Sequence, residues 1–518
     1  MTNICAAVLA ALFLWIPLSV AAAQDVTLTS QDGTIQLAGT LLSFDGDYYR
    51  VDTIYGELTL DSSGVTCEGP GCPDLADFLA EVTFSGAQAA GQVLMPSLVE
   101  AFAKHANFTP RRIVMGDAHF AYELSDTAGR QLARFDFHTA TTTDGFAELT
   151  AGKADVVLAA REIRPDELES AYNAGLGRLD APGRGEVLAL DALVPISAPG
   201  LFVNDISITD LVRIISGDIG SWSDLGGEEA AVSIHLHSAH VGLKQGFEDR
   251  FLQLSGVTAA ETVTRHDRNM DLADAVARDP FGVGLASLSE TGSATRLPLS
   301  GTCGMRMVAN RATVMTEDYP LTMPIYLYTP ARRLPKIMRE FLTFLRTDKA
   351  QRVIREAGFV DQAPMEIPIG GQGDRLSTAI ASAGEEIVLT DLQRMVAVMS
   401  PRARLTTTFR FQEGESTLDA PSRSSVIQLA RALEAGHFDG RELIFVGFSD
   451  GVGPAPINKR LGRDRAEAVR KAVIDAAVTL DRPRVKLGVD SFGEALPMAC
   501  DDTPWGRQVN RRVEVWVR

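Results

Sequence analysis

Gly447 to Val473 reads GFSDGVGPAPINKRLGRDRAEAVRKAV, and it places an arginine where a helix should be apolar. Read from Leu461 at about 100° per residue, the residues Leu461, Ala468, Val469, Ala472, Val473 and Ala476 gather on one side. Arg463, Glu467, Arg470 and Lys471 lie opposite. Arg465 falls inside the apolar stripe, four residues after Leu461 and four before Val469. A charge there costs on the order of several kcal/mol unless it is paired. The preceding strand, ELIFVGFSD, ends in Asp450, and the turn GVG returns the chain to the helix. Asp450 and Arg465 are therefore expected to line one cleft. As acceptor and donor fork they suit a ligand with both an ammonium and a carboxylate, such as an amino-acid headgroup. Asn458, near the helix start, is expected to cap it or touch the ligand.

Length and charge frame this site. A chain of 518 residues implies two to four domains. Hydrophobic content of 45% with 22% charged residues is that of a globular protein. A formal charge of −18 argues against a nucleic-acid partner, because phosphates need a basic footprint. The acidic excess lies upstream: Arg441 to Arg518 holds 14 Lys and Arg against 11 Asp and Glu. The opening, MTNICAAVLAALFLWIPLSVAAAQD, reads as a secretory signal over residues 1–23, with Ala21 and Ala23 before cleavage at Gln24. No later segment is long and apolar enough to span a bilayer. The mature chain is expected to be exported.

Loss of the signal removes Cys5. Cys67 and Cys72, in CEGPGC, flank a Gly-Pro-Gly turn and are expected to form a local disulfide in an oxidising compartment. Spacing does not say whether Cys303 and Cys500 pair.

Four regions follow the signal. Residues 24–80 alternate β-formers with Asp-Gly, Ala-Gly and Tyr-Gly breaks, a small β module. Residues 81–369 alternate apolar strands such as EVTFSG with helices such as LMPSLVEAFAKHA, which predicts an α/β domain of two lobes with a largely parallel sheet. Residues 370–403 read as a linker and a helix. Residues 404–518 read as strand, helix, strand, helix and strands. The fold class is multi-domain α/β, the last region being βαβαββ.

At Asp450 and Arg465 the chain resembles the OmpA-like peptidoglycan-binding domain, whose pattern runs G-H-T-D, x-x-G, Asn, L-S, R-A, Val, then N-R-R-V-E. It appears here as Gly447-Phe448-Ser449-Asp450, Gly453, Asn458, Leu461-Gly462, Arg465-Ala466, Val469 and Asn510-Arg511-Arg512-Val513-Glu514. Phe448, Ser449 and Gly462 depart from His, Thr and Ser. The resemblance implies that Asp450 and Arg465 hold the zwitterionic end of meso-diaminopimelate in the wall stem peptide. It also implies a Gram-negative envelope, with the cell wall or outer membrane as partner.

The middle region resembles PstS-like periplasmic solute-binding proteins through FSGAQAAGQVLMPSLVEAF, TTTDGFAELTAGKADVVLAAREI and ISGDIGSWSDLGG. Such proteins hold an anion between two lobes with helix N-termini, hydroxyls and an arginine. Here the G-S-x-T-like loop is Gly86-Ala87-Gln88-Ala89-Ala90-Gly91, and Ala159-Ala160 replace a Ser or Asp. In HSAHVGLKQGF, His237, Val241 and Leu243 stand for the family's Arg, Ser and Thr. Each donor lost to a desolvated phosphate removes about 1.5–3 kcal/mol. Tight phosphate binding is therefore not expected, and the residual cleft candidates are Gln88, Thr142, Thr143 and His237 for a small anion or other solute.

His235, His237 and His240 in SIHLHSAHVG raise a zinc site, but no acidic or Cys partner adjoins, so no metal is expected. Cationic His237 is instead considered as a weak anion attractor at low pH. No G-x-S-x-G, H-E-x-x-H or P-loop occurs, so no catalytic residues and no cofactor are expected. The functional expectation is a non-enzymatic envelope protein bound to peptidoglycan. The rivals are a phosphate or oxyanion receptor serving an importer and a purely structural spacer.

Overall fold

The computed structural model describes residues 25–75, 78–238, 257–301, 303–381, 383–384, 386–411 and 417–518. The expected signal, His240, Val241 and Leu243 lie outside the described residues. One compact unit holds the chain to Ala80 with Leu334–Ile337; the other holds Glu81–Arg333 with Met338–Arg518.

In the first unit, β1 (Val26–Ser30), β2 (Gln36–Phe44), β3 (Tyr48–Thr53), β4 (Gly56–Asp61) and β5 (Val65–Glu68) pair in the order β4-β3-β2-β1-β5. Strand alternation buries Val26, Leu28, Tyr49 and Val51 together. Gly69, at φ 126°, turns the chain after β5, and a Cβ there would lie 2.4 Å from the Asp25 carbonyl oxygen. That turn brings Cys67 and Cys72 into a disulfide, with Cα atoms 5.8 Å apart.

The second unit begins with a mixed sheet. Its strands are β6 (Ala80–Ala87), β7 (Thr109–Val114), β8 (His119–Ser125), β9 (Gln131–Ala140), β10 (Val156–Ala159), β11 (Gly185–Ser197), β12 (Ser233–His237), β13 (Thr264–His266), β14 (Gly282–Ser287) and β15 (Thr322–Tyr328). They run in the order β13-β12-β14-β11-β15-β10-β6-β9-β8-β7. The long β11 pairs with β15 up to Ala192 and with β14 from Leu193 onward, so one strand joins two lobes. The expected largely parallel sheet is not found. The pairs β6–β10, β12–β13 and β12–β14 are parallel, whereas β7–β8, β8–β9, β10–β15, β11–β14 and β11–β15 are antiparallel. The difference lies partly in β7–β8–β9, a meander that antiparallel pairing permits without crossover helices. Two helices, α1 (Thr142–Thr150) and α2 (Pro165–Asn173), flank β10 in sequence.

Asp191, in the middle of β11, is 1% exposed. Burial pushes its carboxyl up to about 6, against the hydrogen bond from Ser287. The folded chain therefore holds this proton where the unfolded chain has released it, and stability falls as pH rises between about 4 and 6. Asp191→Asn is expected to raise stability at pH 7.5 by about 1–3 kcal/mol and to gain nothing at pH 4. Urea midpoints at the two pH values check this.

The C-terminal sheet takes β16 (Glu366–Pro368), β17 (Ala403–Arg410), β18 (Glu442–Phe448), β19 (Lys486–Gly493) and β20 (Arg512–Val517) in the order β16-β17-β20-β18-β19. Residues 370–403 are more than a linker and one helix. They form α3 (Gly373–Ala381) and α4 (Leu389–Met399), which pack Ala379, Leu392, Met395 and Met399 on Ile444, Val446, Phe448 and Trp516. The opposite face, with Phe409, Phe445, Val513 and Val515, is covered by α5 (Ala420–Glu434) and α6 (Ala455–Ala476). A sheet apolar on both faces needs two covers. A short α7 (Pro504–Asn510) precedes β20.

The two sheets of this unit are tied covalently and electrostatically. Cys303 and Cys500, whose pairing spacing left open, form a disulfide across 197 residues. Beside it, Arg404 grips Asp318 at 2.6 and 3.1 Å, and Glu514 accepts from Arg375 at 2.5 Å, Arg512 at 2.8 Å and the Trp516 indole at 3.0 Å.

Candidate functional site

The helix α6 sets Arg465. Its buried stripe is Asn458, Gly462, Ala466, Val469 and Val473, whereas Leu461 is 42% exposed and Ala468 is exposed. The stripe is thus rotated from the predicted one, and Arg465 sits half-buried at its edge rather than at its centre. The reason is backbone contact. A Cβ on Gly447 would lie 1.7 Å from the Gly462 carbonyl oxygen, so α6 turns a glycine, not Leu461, toward β18.

Asp450, just past β18, accepts from Arg511 Nη1 at 2.8 Å and from the Val452 N–H at 3.3 Å. Arg465 lies over the Phe411 ring, 5.4 Å from its centroid, and makes no hydrogen bond or ion pair among the described residues. Burial and then the Arg511 charge make Arg465 less basic than usual, partly offset by Asp450. Arg511 Nη2 is buried and has no hydrogen-bond partner among the described residues. One carboxylate therefore faces two guanidiniums with donors to spare.

Asn458 does not cap α6, which starts after Pro454 with no side-chain cap. Its amide is 2% exposed and donates to the Gly453 carbonyl at 3.2 Å and to Glu494. It holds the loop after Asp450 rather than reaching outward. Arg511 was missed as a site residue although the N-R-R-V-E run was legible. It comes from 61 residues beyond Asp450, and only tertiary pairing reveals the contact.

In the middle region, Thr142 and Thr143 open α1 next to the end of β10. Thr142 Oγ1 accepts the Ala160 N–H at 3.0 Å and Thr143 Oγ1 accepts Arg161 Nη2 at 2.9 Å. Gly145 lets α1 approach β6, since a Cβ there would lie 2.9 Å from Gly86 Cα. Sequence reasoning passed over Arg161, whose guanidinium meets Glu167 in a two-pronged pair at 2.6 and 2.8 Å. Gln88 donates to Gln92 at 3.3 Å. His237 lies on β12, across β11 from β10. Burial and then His266 push it down to about 4, with Asn269 near enough to favour the protonated ring, although neither ring nitrogen makes a well-formed hydrogen bond among the described residues. Near neutral pH this favours the uncharged ring, which disfavours a cationic anion-attracting role. His235 is bound to His266 at 3.0 Å.

A PBP superfamily domain model matches residues 80–349, more than half of the chain. The chain belongs to the PBP superfamily. An OmpA family model matches residues 410–511, so a PstS-like PBP domain is joined to a C-terminal OmpA domain. The phosphate-binding protein PstS of Borreliella burgdorferi is 20% identical over 210 residues, 40% of this chain and 71% of that protein. The probable lipoprotein YiaD of Escherichia coli is 29% identical over 105 residues, 20% of this chain and 45% of that protein. The crystal structure of an ABC-type phosphate transport receptor from Vibrio cholerae superposes with a TM-score of 0.42 at 17% identity, covering 54% of this chain and 99% of that one. PstS-like and OmpA families are periplasmic or envelope proteins. No helix among the described residues is long and apolar enough to cross a membrane.

Proposed function

We propose that this protein is a non-enzymatic envelope component. Its OmpA domain grips the diaminopimelate end of a peptidoglycan stem peptide, and its PBP domain is displayed in the periplasm. The observation that supports this is the charge count at Asp450: the carboxylate takes a ligand ammonium, while Arg465 and the spare Nη2 of Arg511 take its carboxylate. Titration calorimetry with a diaminopimelate tripeptide tests it. A lysine tripeptide of the same length lacks the distal carboxylate and is expected to bind about 10- to 100-fold more weakly. Equal affinity for the two peptides would end the proposal.

The rival reading, a phosphate receptor, meets an occupied guanidinium. Glu167 already takes both arms of Arg161, as a bound anion would. Inorganic phosphate is expected to give no micromolar heat signal; a micromolar site would install the receptor reading instead.

A further inference from the structure

The Cys303–Cys500 disulfide is not placed to staple two surfaces at random. Cys500 sits in a turn closed by Asn510, which is fully buried. The Asn510 amide oxygen accepts the N–H groups of Met498 at 2.6 Å and Ala499 at 3.1 Å; its nitrogen donates to Ala499 O at 2.7 Å and Asp501 Oδ1 at 2.8 Å. The other oxygen of Asp501 accepts the Gly451 N–H at 2.7 Å. Asp501 thus bridges the residue after Asp450 and the residue before Arg511. Its main-chain oxygen accepts Arg507 Nη1 at 2.8 Å, fixing α7 to the same turn. On the PBP side, the Cys303 N–H points at Cys500 Sγ at 3.1 Å, and a Cβ on Gly301 would come within 2.4 Å of that sulfur. Cys500 has a close-fitting seat on the PBP domain and passes its position to Asp501.

We propose that Asp501, held in place by the Cys303–Cys500 disulfide, is the positioning residue of the wall site, so that the PBP domain is part of the wall grip. This rests on the reading of Asp450, Arg465 and Arg511 as that site. Asp501 touches no ligand. It spaces the Asp450 carboxylate from the Arg511 guanidinium by holding the main chain beside one and the amide beside the other. Freed from the disulfide, the turn at 498–501 gains conformations in which that spacing is lost.

The test uses the chain from Gln24 onward with Cys67→Ser and Cys72→Ser, leaving Cys303–Cys500 as its disulfide. Dithiothreitol converts the two sulfurs to thiols and is itself oxidised to its cyclic disulfide. Affinity for diaminopimelate and lysine tripeptides is measured before and after reduction, with far-ultraviolet circular dichroism recorded alongside. Reduction is expected to weaken diaminopimelate binding about tenfold or more, and to shrink the preference over lysine, with the dichroism unchanged. Asp501→Asn, with the disulfide intact, is expected to do the same, and it decides the matter if the reduced chain loses its fold. Unchanged affinity and preference in a folded, reduced chain, or in Asp501→Asn, overturns the proposal. Arg465→Ala is the reference: if it binds like the parent, the wall-site reading itself has failed, a result distinct from either.

Discussion

Glu514→Gln is expected to destabilise the folded chain by about 3–5 kcal/mol, read as a lowered urea midpoint at pH 7. Glu514 is wholly buried and is shared by Arg375, Arg512, the Trp516 indole and, at 3.4 Å, Arg404. Glutamine keeps the shape and removes the charge. The three guanidiniums are then left with Asp318, which Arg404 and Arg410 already use. Removing one partner of a buried ionic group strands the others without water, which is why the loss exceeds that of a surface pair. Acid should have a parallel effect. Burial pushes the Asp318 carboxyl up, but the Arg404 charge and hydrogen bonds outweigh it and hold it at about 2. Glu514 is likewise held below the usual range, with Arg375, Arg404 and Arg512 outweighing burial. Carboxylates depressed by folding add stability that is fully present above about pH 4 and is lost as pH falls toward 2. The parent should lose stability through that window, and Glu514→Gln should lose less. A midpoint within about 1 kcal/mol of the parent would show that the network adds little.

Arg465→Ala is expected to weaken binding to diaminopimelate-containing sacculi about 100-fold while leaving the fold as stable as the parent. Arg465 is half-buried beside a second guanidinium and makes no ion pair among the described residues. Its removal takes away a repulsion and a desolvation cost, together with the contact to Phe411. A residue that costs the free protein something and helps only the complex is the expected signature of a binding group. Asp450→Ala should lose binding to a similar degree, but with some loss of stability, because Arg511 then has neither its 2.8 Å partner nor a use for Nη2. Co-sedimentation with sacculi and thermal melting separate the outcomes. Intact binding by both variants removes the wall site. Unfolding of both makes the cluster structural.

How much of this was legible beforehand depends on how local each signal is. The alternation of β1–β5 and the acid at the strand end before α6 are patterns within a few residues, and they survive folding. So is the CEGPGC turn that closes a disulfide. The rotation of α6 was not legible, because it is set by Gly462 packing on Gly447, a contact with no periodicity of its own. Nor was Arg161 legible as a neutralised group, since Glu167 becomes its partner only when α2 folds back.

The amino-acid sequence by itself determined that one domain would carry Asp450 and Arg465 together, because strand, short loop and helix leave the chain no other course. It also determined that the middle region would be an α/β domain. Only the tertiary structure decided that Arg511 completes the cluster, that Cys303 meets Cys500, and that Asp318 and Glu514 draw arginines from β17 and α3. Those contacts join residues tens to hundreds of positions apart. Such meetings are fixed by how helices and sheets pack, and no window of sequence contains both partners.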